Sequence, residues 1–124
     1  MIDYLSLEDL LTIIERYQLQ AVRDLGLLDS AAHRPQTSLF GDDAYPSIEE
    51  KAAVLLESIV RNQPLIDGNK RLGWIAAVMF LELNGLVIDA PFDEAYDLVI
   101  AVSTGAMSYQ ESAARLAAWT STST

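Results

Sequence analysis

Apolar residues recur every three or four positions through most of the chain, which is the spacing of amphipathic helices. Three such runs begin after a serine that has an acidic residue three positions later. The pairs are Ser6 with Asp9, Ser47 with Glu50, and Ser108 with Glu111. This spacing is typical of a capping box, in which serine and acid each bond a backbone N–H of the first helical turn. Three separate helix starts of this kind predict an all-α protein.

A fourth segment, residues 72–81, is apolar on nearly every side. A helix without a polar face has to be surrounded by other helices, so we place this one at the centre of the bundle. Asn84 and Gly85 tolerate the left-handed conformation that ends helices, and they are expected to stop it. Two further helices are predicted at residues 30–34 and 93–103. The expected fold is a compact all-α bundle of about six helices around a buried central helix.

Residues 37–46, TSLFGDDAYP, are the stretch that lacks a helical pattern. Gly41 and Asp42 in its middle, with short apolar pairs on either side, fit a short hairpin or an extended flap. A plain surface loop is the alternative. The final residues, 120–124, have the composition of a frayed polar tail. Neither a repeat nor a linker divides the chain, so one domain over residues 1–124 is expected.

Composition narrows the possible functions. The 124 residues include no cysteine and one histidine, His33, which excludes disulfides, cysteine nucleophiles and histidine-based metal clusters. The net charge is −10 and the lysines are Lys51 and Lys70, whereas proteins that bind nucleic acid or membrane surfaces directly carry a basic face. We therefore expect neither of those partners. The acidic balance suits a basic partner protein instead.

Two features favour a cytoplasmic location. The longest apolar stretch, residues 72–83, is about twelve residues long, whereas a membrane-spanning helix needs about twenty. Asp3, Glu8 and Asp9 lie where a signal peptide would carry basic residues. The chain is therefore expected to lack both a membrane span and a secretion signal.

The side chains capable of chemistry concentrate in residues 62–71, NQPLIDGNKR, between two predicted helices. A glycine at a helix start lets a ligand approach the unpaired N–H groups there, and two cations beside them favour a phosphate. An adjacent carboxylate suits Mg²⁺, which uses few protein carboxylates and is shared with substrate phosphates. The pattern favours a nucleoside triphosphate with magnesium. The alternative is a simple turn, with Asp67 capping the second helix.

Residues 63–71, QPLIDGNKR, resemble the motif of the Fic/Doc family, usually written HPFx(D/E)GNxR. They are most similar to the Doc (death on curing) branch, in which the motif ends in NKR. The resemblance extends to residues 26–35, to the capped helix from Ser47 and to residues 80–85, and so covers nearly the whole chain. It implies the all-α Fic fold, with a target-docking flap at residues 37–46.

The resemblance also implies an activity. Fic proteins transfer AMP to protein hydroxyl groups. Doc toxins are kinases that transfer the γ-phosphate of ATP to elongation factor Tu, block translation, and are neutralised by an antitoxin of the Phd type. For this chain the resemblance implies a magnesium ligand at Asp67, an anion-binding loop at Gly68 and Asn69, and phosphate contacts from Lys70 and Arg71.

Two departures favour the Doc branch. AMP-transferring members usually have glycine where Lys70 stands, and a second arginine where this chain has Trp74. The resemblance therefore implies a kinase-type toxin. An AMP-transferring Fic enzyme and a non-catalytic binding module remain the alternatives.

The catalytic histidine of the family falls on Gln63. In the family this histidine takes the proton from the attacking hydroxyl, and a glutamine amide cannot do so near neutral pH. Loss of a positioned general base typically costs about 10²–10⁴-fold in rate. We therefore expect a chain that retains the fold and the nucleotide site but is catalytically impaired.

Two origins of Gln63 stay open, namely an inactivating substitution introduced so that a toxic protein can be expressed, and a natural variant that binds without catalysing. Leu65 stands for the motif's phenylalanine, and both anchor the loop in the core. His33 is expected to be a partly exposed structural residue and not a substitute base.

Overall fold

Residues 1–122, which the computed structural model describes, form six α-helices and two small antiparallel strand pairs. The helices are α1 (Leu7–Arg16), α2 (Leu25–His33), α3 (Ile48–Asn62), α4 (Asn69–Leu83), α5 (Phe92–Thr104) and α6 (Tyr109–Trp119). The strands are β1 (Ser38–Leu39), β2 (Asp42–Asp43), β3 (Leu86–Ile88) and β4 (Thr120–Thr122). The prediction of a helical bundle with a short hairpin is confirmed.

The three predicted capping boxes form, and they start α1, α3 and α6. At α1 the N–H of Asp9 donates to Ser6 Oγ at 3.1 Å, and the N–H of Ser6 donates back to the Asp9 carboxylate at 2.9 Å. Each box supplies two first-turn N–H groups with partners that the helix itself cannot offer. Because these contacts are local, the starts of the three helices agree with those predicted from the sequence.

The helix at the centre of the bundle is α3, so the placement of residues 72–81 there was wrong. α3 packs against α2, α4, α5 and α6, and its residues 51–56 are all buried. α4 keeps Met79 and Leu83 exposed on its outer side. The physical reason is steric, because Gly73 lets α4 pack closely on α3: a Cβ at Gly73 would lie 2.7 Å from Val60 Cγ1. α1, β3 and α5 cover further parts of α4, but its outer side stays open to solvent.

The helix predicted at residues 30–34 begins earlier, as α2 at Leu25. It starts there because the Asp24 carboxylate caps it, accepting the N–H of Leu27 at 3.0 Å. Its end is followed by a single 3₁₀ turn, Arg34–Gln36. The predicted helix at residues 93–103 agrees with α5 to within one residue at each end.

Two strand pairs complete the fold. β1 and β2 form the hairpin favoured for residues 37–46, with Ser38 opposite Asp43. The polar tail predicted at residues 120–124 was wrong for its first three members, since β4 pairs antiparallel with β3. A polar strand needs only an exposed strand edge for pairing, and β3 supplies one from a distant part of the chain. Ser123 and Thr124 lie outside the described residues.

Within residues 1–122, no helix is both long enough and apolar enough to cross a bilayer.

Candidate active site

The motif loop joins the C-terminus of α3 to the N-terminus of α4. Gln63 is the residue that ends α3, and its backbone is left-handed, with φ 52° and ψ 64°. Its N–H still donates to the carbonyl oxygen of Ile59 at 3.1 Å, so it remains tied to the last turn. Leu65 is buried, as expected of the residue that anchors the loop. The Gln63 side chain is thereby placed where the loop leaves the helix.

Asn69 closes the loop through its side chain. Its Oδ1 accepts the N–H of Leu65 at 2.9 Å, and its Nδ2 donates to the Leu65 carbonyl oxygen at 3.1 Å. The amide therefore holds the shape of the loop by bonding both backbone groups of one residue. The group that Asn69 can still offer an anion is its backbone N–H, the first of α4.

The N-terminus of α4 has no side-chain cap, unlike those of α1, α3 and α6. Gly68 occupies the N-cap position with a left-handed backbone, φ 88°. Asp67 does not cap α4, because its Oδ1 accepts the N–H of Gly68 at 2.8 Å and none from the first turn. This arrangement disfavours the simple-turn alternative. The first-turn N–H groups, with the positive end of the helix dipole, are left to a ligand.

The side chains predicted for the site come together in one cavity of about 280 Å³. All six predicted residues line it: Gln63, Asp67, Gly68, Asn69, Lys70 and Arg71. Lys70 and Arg71 are exposed, so their charges are available at the cavity mouth. The arrangement puts two cations, one carboxylate and an uncapped helix start around a space suited to phosphate groups.

A second cavity of about 330 Å³ adjoins the first and was not anticipated from the sequence. Lys70 and Arg71 line both cavities, and the far wall is formed by Trp74 together with Phe92 and Tyr96 of α5. Phe92 is 81% exposed and Tyr96 59% exposed. The available signal was this pair of aromatic residues four positions apart at the start of a helix. Exposed aromatic rings next to cations suit a planar, anion-bearing ligand.

The hairpin is fixed at its base and free at its tip. Lys51 of α3 is fully buried, and its Nζ donates to Asp43 at 3.2 Å and to the Tyr45 carbonyl oxygen. Arg34 donates to the Tyr45 hydroxyl at 3.2 Å, and Phe40 at the tip is fully exposed. The hairpin base is therefore tied to α3 and to the end of α2.

Arg34 also links the hairpin to the middle of α3. Its Nη1 donates to Glu57 at 2.8 Å and to Ser58 at 3.1 Å. Partial burial alone lowers the pKa of Arg34, but the hydrogen bonds to Tyr45 and Glu57 outweigh this effect, and the pKa is raised above its ordinary value. Arg34 therefore stays charged at any working pH.

His33 lines a polar cleft of about 420 Å³, together with Arg34, Thr37 and Asn62. Its side chain is 69% exposed, and Nδ1 lies 2.9 Å from the carbonyl oxygen and 3.3 Å from the carboxylate of Asp29, one turn earlier. It lines neither of the two cavities that Lys70 and Arg71 share. This position fits the expectation of a partly exposed structural residue.

The chain is similar in sequence to one known family and to one of its members. The family model described as Fic/DOC family matches residues 4–81, a span that includes the whole motif loop and the hairpin. The chain is 48% identical to Toxin Doc of Mycolicibacterium smegmatis over 122 aligned residues, which cover 94% of this chain and 93% of that protein. The chain therefore belongs to the Fic/DOC family.

Proposed function

We propose that this protein is the toxin of a toxin–antitoxin pair, and that its site is built to transfer the γ-phosphate of ATP to a hydroxyl of another protein. Elongation factor Tu is the expected target, and its phosphorylation would block translation. The observation that carries the proposal is the single cavity lined by Gln63, Asp67 and the uncapped start of α4. The identity to Toxin Doc supports the same assignment.

The two adjoining cavities suit the two parts of a nucleotide. The first-turn N–H groups of α4, with Lys70 and Arg71, bind the phosphates in the first cavity. The aromatic rings of Phe92 and Tyr96 give the base a stacking surface in the second. Because Lys70 and Arg71 line both cavities, one extended ligand can occupy the two together.

Asp67 fits the role of magnesium ligand. One of its oxygens is held by the N–H of Gly68, which orients the carboxylate beside the phosphate cavity. Among residues 1–122 there is no group of three or more acidic or histidine side chains that could hold a metal by themselves. A single carboxylate shared with substrate phosphates is how magnesium is usually held in such sites. Magnesium there would neutralise charge on the phosphates during transfer.

In the reaction, the hydroxyl oxygen of the target forms a bond to the γ-phosphorus as the bond to the bridging β,γ-oxygen breaks. ADP leaves, and the hydroxyl proton has to pass to a base at position 63. The Gln63 amide can accept a hydrogen bond from the hydroxyl but cannot take its proton. The chain with Gln63 is thus proposed to bind ATP and target while transferring phosphate slowly.

One residue of α4 favours transfer of the γ-phosphate over transfer of AMP. Trp74 stands where AMP-transferring relatives are expected to have a second arginine, and it forms part of the apolar cavity wall. No second guanidinium is therefore present on α4 to hold the inner phosphates. An antitoxin of the Phd type is the proposed partner, and the identity to Toxin Doc supports pairing with an antitoxin.

The test compares the chain as it is with its Gln63→His variant, each with magnesium and purified elongation factor Tu. Parallel reactions carry ATP labelled at the α- or the γ-phosphate. Label from the γ-position should appear on the target, at least about 100-fold faster with the histidine variant. Asp67→Asn in that variant should abolish transfer, whereas the matched Asp89→Asn change, at an exposed position after β3, should not.

Label from the α-position would instead identify an AMP-transferring enzyme. No label with either protein would contradict the phosphotransfer proposal and leave the binding module as the better account.

A further inference from the structure

The C-terminus of α3 is capped by an arginine from outside the helix. Arg23 lies between α1 and α2, and its Nε and Nη2 donate to the Gln63 carbonyl oxygen at 3.0 Å and 2.6 Å. Nη2 also donates to the Asn62 carbonyl oxygen at 3.1 Å. These are the orphan carbonyl groups of a helix end, where a positive charge is favoured. The guanidinium thus binds the backbone of the two residues at which the catalytic motif begins.

The backbone at position 63 has a conformation that is disfavoured for a residue with a side chain. A left-handed conformation is unusual for a residue with a side chain, and helices usually end with glycine in it. Gly85 and Gly105 follow that rule after α4 and α5, with φ 84° and 83°, whereas Gln18 has φ 54° after α1. After α3 the left-handed position carries Gln63 instead, with φ 52°. A site that requires a side chain at this point cannot use glycine.

Residues 21–24, the segment that contains Arg23, also bond the backbone just after position 63. The backbone N–H groups of Arg23 and Asp24 both donate to the Pro64 carbonyl oxygen, at 2.7 Å and 3.0 Å. The N–H of Ile66 donates to the Ala21 carbonyl oxygen at 3.0 Å. Residues 21–24 therefore run antiparallel to the loop and hold it just beyond Gln63.

We propose that Arg23 is a positioning residue, which holds the backbone of residue 63 so that its side chain enters the phosphate cavity. The inference rests on the proposed function, because it assigns position 63 to the group that receives the hydroxyl proton. The nucleotide contacts do not depend on the Arg23 side chain, since Lys70 and Arg71 lie in α4 and Asp67 lies in the loop that the Asn69 bonds to Leu65 close. Loss of Arg23 should misplace the base and leave ATP binding intact.

The first measurement is amide hydrogen exchange on the chain as it is, comparing Arg23→Ala with the matched control Arg115→Ala at an exposed position of α6. The N–H groups of Gln63 and Ile66 should exchange about 10-fold faster or more in Arg23→Ala, as local opening predicts, while Leu56 within α3 stays protected. Arg115→Ala should leave all of them unchanged. Unaltered exchange at Gln63, or equal acceleration along all of α3, would overturn the proposal.

The second measurement is kinetic and uses the Gln63→His variant. Adding Arg23→Ala should lower kcat about 10- to 100-fold, the cost of a small misplacement, with KM for ATP unchanged. Arg23→Lys retains the charge and a donor, and should recover part of the loss. A rise in KM that accounts for the whole effect would overturn the proposal. If the histidine variant transfers no phosphate, the proposed function fails, and the exchange data still decide whether Arg23 holds the backbone of residue 63.

Discussion

At the scale of single residues, Gly73 determines how closely the two longest helices can pack. A Cβ at this position would lie 2.7 Å from Val60 Cγ1 and 3.0 Å from Leu56 Cδ1, which is closer than packed carbon atoms approach. Both neighbours are buried, so neither can move away freely. Gly73 lies one turn along α4 from Asn69, where the motif loop ends. A shift of α4 at this point would therefore move Lys70 and Arg71.

Gly73→Ala should therefore destabilise the protein even though alanine favours helix. We expect a net loss of up to about 2 kcal/mol, because overpacking costs about 1–3 kcal/mol and the gain in propensity is about 1 kcal/mol. Urea unfolding measures this loss, and Ala118→Gly at an exposed position of α6 gives the propensity contribution separately. An increase in stability would mean that α4 can move away from α3 without cost.

Lys51 illustrates how a buried charge is tolerated when it has partners. Lys51→Met should lower the free energy of unfolding by about 1–3 kcal/mol, because the Tyr45 carbonyl oxygen loses its donor. The cost is less than for a fully buried ion pair, since the other partner, Asp43, has a side chain that is 53% exposed and can be hydrated. Faster exchange of the Ala44 N–H, which bonds Thr37, should accompany it. A protected Ala44 would show that Lys51 does not hold the hairpin.

Tyr96 offers the direct test of the second cavity. Tyr96→Ala should weaken ATP binding about 10-fold, since stacking of a base on an aromatic ring contributes about 1–3 kcal/mol. Calorimetric titration with Mg-ATP suits the chain as it is, because turnover with Gln63 is proposed to be slow. The matched change Tyr17→Ala, at the exposed end of α1, should leave the affinity unaltered. Equal affinities in both variants would place the base elsewhere.

The sequence predicted which residues lie together around the cavity, whereas it did not predict the contacts that each side chain makes. Asp67, Lys70 and Arg71 were identified by charge and spacing, and they line one cavity. The inward turn of the Asn69 side chain depends on the loop backbone, which no periodic pattern describes. Arg23 was missed for a similar reason, since it meets Gln63 from 40 positions away along the chain.

At the scale of elements, helix starts were predictable because their causes are local. A serine and an acid three positions apart form the same bonds in α1, α3 and α6, whatever the rest of the chain does. Asp24 caps α2 without such a pair, so the start of α2 was predicted too late. The pairing of β4 with β3 was missed because it joins residues more than thirty positions apart, and neither strand carries an alternating pattern.

The cap of α6 can be tested alone. Ser108→Ala should cost about 1 kcal/mol, the typical loss when a serine N-cap is removed, because the N–H of Glu111 loses its acceptor. Thermal unfolding with Ser121→Ala in exposed β4 as control gives the comparison. Equal Tm values for the two variants would show that the capping box adds no stability beyond that of hydrogen bonds to water.

At the scale of the whole molecule, the net charge of the protein and the charges at the candidate site have opposite effects on an anionic ligand. The chain carries a net charge of −10, and ATP is itself a polyanion, so the protein as a whole repels its proposed substrate. Lys70, Arg71 and the start of α4 attract it only at short range. A divalent cation would reduce the repulsion, and under the proposed function it would add a contact at Asp67.

Affinity for ATP should therefore rise about 10-fold or more when magnesium is added, through charge neutralisation and a direct carboxylate ligand. Asp67→Asn should remove most of this gain while leaving the affinity for metal-free ATP no weaker. Titrations at matched ionic strength, with Asp89→Asn as control, measure both effects. A magnesium gain that survives in Asp67→Asn would remove Asp67 from the metal site.

The attachment of the hairpin to α3 has a consequence for which targets the protein can accept. Lys51 holds the hairpin near the start of α3, Arg34 holds it again at Glu57, and Gln63 ends the same helix. An α-helix hardly stretches, and twelve residues at 1.5 Å each make a rod of about 18 Å between Lys51 and Gln63. The helix therefore fixes the distance between the hairpin base and position 63. Under the proposed function, a protein held along the hairpin would react only if its hydroxyl lay at that fixed distance from the segment being held. Selection among targets would then depend on spacing as well as on side-chain contacts.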